Sequence, residues 1–175
     1  RIVGVTGFAV RPERVRKEKP RISSFISAKV EKILELNPDL IFTFSDIQAD
    51  ISKELISKGL NVFCFNHRDI NGIFSMIKVI GAILDCNNKS NLLCKNLLSV
   101  IEETKSKCPK IRPKIYFEEW NDPFISGIKW VSELIEIAGG TDVFSNKGSN
   151  SLAVNRIISS EDIIKANPDI IIASW

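Results

Sequence analysis

The chain has 175 residues, with 24 basic side chains against 21 acidic ones and a single histidine. Its 44% hydrophobic and 26% charged content is that of an ordinary globular protein, which excludes disordered and fibrous classes, and the length suits one domain or two small ones. A net charge of +3 is too small for a protein that coats nucleic acid, and no apolar run reaches the roughly 20 residues needed to span a bilayer.

Isoleucine occurs 27 times, against 16 glycines and prolines together, which favours buried strands and helices over a loop-rich scaffold. Cys64, Cys86, Cys94 and Cys108 form no CxxC pair. One histidine cannot complete a Cys/His zinc cluster, so no metal centre is expected and the cysteines read as small buried hydrophobes.

In chain order, Ile2 to Val5 reads as a short strand, followed by a polar loop from Arg11 to Arg21 with six basic and two acidic residues. That loop either meets an anionic group or is a solvated turn. Ser27 to Leu36 has helical spacing and ends at Pro38. Leu40 to Phe44 and Leu60 to Phe65 are strands without polar alternation, the pattern of a sheet covered on both faces. The helix Ile47 to Lys58 lies between them and stops at Gly59. Helical crossovers of this length make the strands parallel.

A helical region runs from Ile70 to Lys107, with a break expected at Asp85-Cys-Asn-Asn88 and an end at Pro109 and Pro113. The strand–helix pattern then restarts. Ile115 to Phe117 is a strand, and Trp130 to Ala138 a helix closed by Gly139-Gly140. Within it, Trp130, Leu134 and Ile137 form the expected packing stripe. Ser159 to Ala166 is a helix and Asp169 to Ala173 a strand. The division that follows is a first α/β lobe over 1–69, a connecting helical backbone over 70–108 and a second lobe over 109–175.

An internal repeat is the most informative feature. Glu31 to Phe42 matches Glu161 to Ile172 at an offset of about 130, with Asn37-Pro-Asp39 repeated as Asn167-Pro-Asp169. A period this long means two similar lobes and not a solenoid. The expected fold class is therefore α/β, with two Rossmann-like parallel-sheet lobes joined by a long helix and a ligand cleft between them.

Open α/β sheets bind ligands at the carboxyl ends of their strands. The candidates there are Gly7 and Phe8, Phe44 and Ser45, Asn66 to Arg68, Glu118 to Asp122, and Ser174 with Trp175. This set is aromatic and polar and contains no acid–base–nucleophile chain, which suits holding an organic ligand better than transforming it. Glu118 and Glu119 point to opposite faces of a strand, making a poor carboxylate pair. Gly4 and Gly7 form no dinucleotide fingerprint.

Val3-Gly-Val-Thr-Gly-Phe8, Glu31 to Leu40, Trp120-Asn-Asp-Pro-Phe-Ile-Ser-Gly127 and Val131 to Gly140 resemble the cobalamin-binding members of the helical-backbone solute-binding proteins. That family serves ABC importers of vitamin B12, ferric siderophores and haem. The resemblance covers nearly the whole chain, and it implies that the family's first strand and helix precede Arg1 and that the second lobe continues past Trp175. It also implies a periplasmic or otherwise extracytoplasmic, membrane-associated carrier without catalysis or cofactor. The carrier's ligand would be cobalamin or a related corrinoid, its protein partner a membrane permease, and nucleic acid no partner at all. Phe8, Phe25 and Phe44 match aromatic positions against the corrin, as does Phe124 in the second lobe. With His67, Trp120 and Trp175 from the strand ends, these make the expected ligand set. Glu31 and Glu161 match the carboxylates that dock on permease arginines. Positions that are Tyr or Trp in other members are Phe here, and a Cys near the Gly-Gly turn is Ala138, so that disulfide is lost.

Three other readings stand beside this one. A ferric siderophore or haem would make His67 and Tyr116 candidate iron contacts. An enzyme with the same two lobes would use Glu118 or Glu119 with His67 as acid–base groups. A plain interaction module would leave the aromatic candidates without a role.

Overall fold

The computed structural model describes residues 1–150 and 152–175. The chain divides into two compact units, 1–66 and 67–175.

The first unit contains β1 (Val5–Thr6), α1 (Val15–Glu18), β2 (Arg21–Ser23), α2 (Val30–Glu35), β3 (Ile41–Phe44), a 3-10 turn (Asp46–Gln48), α3 (Ala49–Ser57) and β4 (Val62–Phe65). β1 pairs with β2 and β3 with β4, both in parallel. Val30, Ile33 and Leu55 form the core, with Ile22, Ile41 and Val62 packed against them. Burying each large aliphatic here contributes about 1.5–3 kcal/mol. Thr43 and Ser52 fasten α3 to the sheet through a buried hydroxyl–hydroxyl hydrogen bond of 3.0 Å.

Three expectations need correcting in this unit. β1 begins at Val5 and not at Ile2, whose side chain is exposed. The basic loop holds a helical turn, α1, and ends in β2. The strands β3 and β4 are only partly covered on their second face, where Phe65 is buried but Phe42, Phe44 and Phe63 are each more than a third exposed. Ile41, Thr43 and Val62 point to the core, while Phe42, Phe44, Phe63 and Phe65 share the opposite face. Phe42 stacks on Phe65 at 5.7 Å, and Phe63 lies 4.8 Å from Phe65.

The second unit opens with α4 (Ile70–Ile83) and α5 (Asn87–Ser106). The helical region is thus two helices, broken where Asp85 takes a positive φ of 51°. They pack closely because Gly81 has no side chain. A Cβ there would lie 2.1 Å from Ser90 Oγ. After them come β5 (Lys114–Asn121), β6 (Phe124–Ser126), α6 (Lys129–Ile137), β7 (Thr141–Asp142), a 3-10 turn (Ala153–Arg156), α7 (Ser160–Ala166) and β8 (Ile170–Ala173).

β5 is the hub of this sheet. It pairs in parallel with β7 and β8 and antiparallel with β6, so the sheet is mixed where an all-parallel one was expected. The β5–β6 hairpin turns on Asp122-Pro123. On α6 the buried residues are Val131, Ser132 and Ile135. Leu134, placed in the packing stripe by spacing, is exposed, while Trp130 packs on the Ile115–Val131–Ile135 cluster as expected. A second cluster of Tyr116, Phe144 and Ile158 lies under Phe124 and Ile163. Of the cysteines, Cys94 is buried, Cys86 and Cys108 are half-buried and Cys64 is exposed, so the expectation of buried hydrophobes holds for one of four.

The repeat has a backbone counterpart. Asn37 follows α2 at φ 42° and Asn167 caps α7 at φ 48°, both in the left-handed region that Asn tolerates better than other non-glycine residues. In each case Pro and Asp follow, and then a strand, β3 or β8. Asn-Pro-Asp is thus one turn used twice.

Candidate functional site

In the first unit, Phe8 follows β1 and Phe25 follows β2. The strands are parallel, so both residues leave the same edge of the sheet. Their rings meet edge to face, 6.4 Å apart at 85°, while 65% and 51% of their surfaces stay exposed. Two large exposed rings in contact form a ready apolar seat.

Phe44 ends β3 beside a strained residue. Ser45 has φ 71° and ψ 160°, a region otherwise reserved for glycine that costs on the order of 1–3 kcal/mol. The surrounding bonds enforce it. Ser45 N–H donates to Phe65 O at 2.7 Å, and its hydroxyl donates to Asp46 Oδ1 at 2.7 Å. The sharp turn starts the 3-10 segment and brings Gln48 back under the strand end. Gln48 Oε1 accepts from Phe44 N–H at 2.9 Å, and its Nε2 donates to Phe25 O at 2.8 Å. One amide therefore joins the segments carrying Phe25 and Phe44. Sequence reasoning missed Gln48 because nothing local marks a residue whose partner lies 23 positions away.

In the second unit, Glu118 and Glu119 lie in β5, where the register with β6 is irregular between Glu118 and Trp120. Glu118 is buried and its Oε1 accepts from Trp175 Nε1 at 2.7 Å. Glu119 forms a two-pronged ion pair with the buried Arg156, at 2.6 and 3.1 Å. The same guanidinium donates to Ser126 O. Both carboxylates of the enzyme reading are therefore engaged. Tyr116, the candidate iron contact, is 1% exposed in mid-strand. Its hydroxyl has no hydrogen-bond partner among the described residues, and burial beside Glu118 raises its pKa. It is a core residue.

Trp120 is exposed, its indole N–H donating to Asp122 O at 3.1 Å. Phe124 is half-buried against the Tyr116 cluster. His67 is half-buried as well. Burial and the neighbouring Arg68 lower its pKa, which favours the neutral imidazole. Beside it, Asp69 caps α4 by accepting from Gly72 N–H at 2.8 Å and binds Lys129 Nζ at 2.9 Å. Glu133 accepts from Ile70 N–H at 2.7 Å.

Glu31 and Glu161 are exposed in the first turns of α2 and α7. Glu161 is held below the ordinary carboxylate range by backbone and serine hydrogen bonds. A groove of about 560 Å³, lined by Pro109, Ile115, Trp130, Leu134 and Ile170 among others, lies along α6. Its lining is almost wholly hydrocarbon, without the polar groups that orient a ligand. The described residues contain no cluster of three potential metal ligands.

Two α/β units, the second with a mixed sheet, carry exposed aromatic residues near their strand ends. The whole chain, residues 1–175, matches the family described as periplasmic binding protein, and the chain belongs to that family. A vitamin B12-binding protein from Vibrio campbellii is 24% identical over 99% of this chain and 63% of its own length. The periplasmic vitamin B12-binding protein of Vibrio cholerae superposes with a TM-score of 0.75 at 18% identity, covering 98% of this chain and 67% of that one. Staphylococcus aureus IsdE, solved with haem, gives 0.78 at 22% identity over 99% and 67%. The chain thus spans 63% of the V. campbellii relative. Membership implies an extracytoplasmic location. No helix of the described residues is long and apolar enough to cross a membrane.

Proposed function

We propose that this protein captures cobalamin or a related corrinoid and delivers it to the permease of an ABC importer, without catalysing a reaction. The observation that carries the reading is the exposed Phe8–Phe25 pair at the strand ends. A corrin is a broad apolar disc with an amide rim. It gains from aromatic faces and asks for no charge of its own to be neutralised. The names of the curated relatives support the same ligand.

Haem is the second reading, and His67 favours it. A neutral imidazole in a half-buried loop is the form that ligates iron. Titration of the full chain with cyanocobalamin and with haemin, followed by absorbance and calorimetry, separates the two. One-to-one binding of cyanocobalamin, weakened by Phe8→Ala or Phe25→Ala, supports the corrinoid reading. Haemin binding that shifts the Soret band and disappears in His67→Ala, with no cyanocobalamin binding, overturns it.

Glu31 and Glu161 are the proposed docking residues. They are exposed, and they stand in equivalent first turns of the repeat. Charge pairs of this kind steer association and fix register. The double substitution Glu31→Arg with Glu161→Arg is expected to abolish transporter-dependent uptake while leaving ligand affinity unchanged. Unchanged uptake would remove the docking role.

A further inference from the structure

We infer that Gln48 is the positioning residue that sets the spacing of Phe25 and Phe44, and through that spacing the ligand preference of the first unit. The inference rests on reading these phenylalanines as ligand contacts. Phe25 lies in the segment after β2 and Phe44 at the end of β3, and these strands belong to separate two-stranded sheets. Among the described residues, no strand ladder joins the two segments. The Gln48 amide does, donating to one backbone at 2.8 Å and accepting from the other at 2.9 Å. A primary amide offers both a donor and an acceptor on one planar group.

The amide is itself held in place. Strained Ser45 turns the chain directly after Phe44, and the 3-10 segment over Asp46–Gln48 fixes where the glutamine begins. A strained backbone conformation kept at the edge of a candidate site is a sign of preorganisation. The two bonded backbone groups belong to exposed residues, so water can replace Gln48 without leaving a buried orphan. Losing the amide therefore costs the fold little, but it releases the relative position of two aromatic segments. A ligand must then order them on binding, which costs affinity.

The test compares Gln48→Ala and Gln48→Glu with the native full chain, using cyanocobalamin and haemin as probes and thermal unfolding as control. Glu retains the acceptor for Phe44 N–H but loses the donor to Phe25 O. Both variants are expected to bind cyanocobalamin about tenfold more weakly, the loss of roughly one hydrogen bond's worth of order. The ratio of the two probes' affinities should narrow, with Tm within about 2 °C of the native value. Phe25→Ala and Phe44→Ala are run alongside. If these weaken cyanocobalamin binding and the Gln48 variants do not, the positioning role is wrong and the aromatic seat stands. If neither phenylalanine matters, the seat itself is wrong and the inference falls with it. A lowered Tm with unchanged affinity and probe ratio would make Gln48 a purely structural residue and overturn the inference.

Discussion

The indole of Trp175 donates a 2.7 Å hydrogen bond to the buried carboxylate of Glu118. The bond joins Trp175, two residues past β8, to a side chain of β5, the partner strand of β8, and so holds an exposed aromatic at the strand ends. In a background with Trp120 and Trp130 changed to Phe, Glu118→Leu is expected to shift Trp175 emission to the red and to weaken cyanocobalamin binding about fivefold, near 1 kcal/mol. Glu118→Gln keeps an acceptor and should retain most of both signals. Identical behaviour of the Leu and Gln variants would separate Trp175 from Glu118 control.

The Arg156–Glu119 pair should be asymmetric to mutation. The Arg156 side chain is 4% exposed and that of Glu119 is 37% exposed, so removing the glutamate strands a buried cation. Glu119→Ala is expected to cost about 3 kcal/mol, in the range for breaking a buried pair from one side, measured by urea unfolding. Glu119→Gln, which still accepts from the guanidinium, should cost less. A loss below about 0.5 kcal/mol for Glu119→Ala would mean that the pair behaves as a surface contact.

Asp69 gives a pH-dependent term. The Lys129 hydrogen bond, followed by that from Gly72 N–H, lowers its pKa from the ordinary 3.8. A depressed folded value means that the stabilisation is complete above the unfolded value and disappears as pH falls through the folded one. Asp69→Ala should therefore lower stability at pH 7 by about 1 kcal/mol, the usual worth of a helix cap. The gap between native and variant Tm should close in acid, below about pH 4. A gap that is constant from neutral pH to pH 2 would contradict the assignment.

The repeated turn makes a paired prediction. Asn37 and Asn167 hold left-handed backbone at φ 42° and 48°. Replacing either with Ala should cost about 1 kcal/mol, and replacing either with Gly should be neutral or better. The two losses should add, since the sites lie in different units. Thermal unfolding of the four single variants and the double Ala variant decides it, and a neutral Asn→Ala at either site would break the equivalence.

The sequence displayed whatever is periodic or local. The repeated Asn-Pro-Asp turn, the break at Asp85 and the apolar strands all follow from residues within a few positions of one another. β2 escaped because Arg21–Ser23 is three residues long at the end of a charged loop, too short for alternation to show. β6 escaped although a signal existed: Asn121-Asp-Pro between apolar residues is hairpin-turn chemistry. Among the site residues, the phenylalanines could be placed because strand ends can be placed. Gln48 and Arg156 could not, since a long polar side chain acquires its role from partners that only the folded chain brings near. Leu134 was misplaced for a related reason. Helical spacing gave a stripe, and the sheet took the face one residue over, through Val131 and Ile135.

The close contact of Gly81 with Ser90 also bears on how the second unit assembles. The helical pair α4–α5 joins residues 9 to 20 positions apart, from Gly81 against Ser90 to Phe74 beside Cys94. Closing the β5–β8 ladder brings together Lys114 and Asp169, 55 positions apart. Loop-closure entropy rises with that separation, and local contacts form sooner. The helical pair is therefore expected to form first and the β8 ladder last. Gly81→Ala, which forces those helices apart, should slow refolding, whereas Asp169→Ala should mainly speed unfolding.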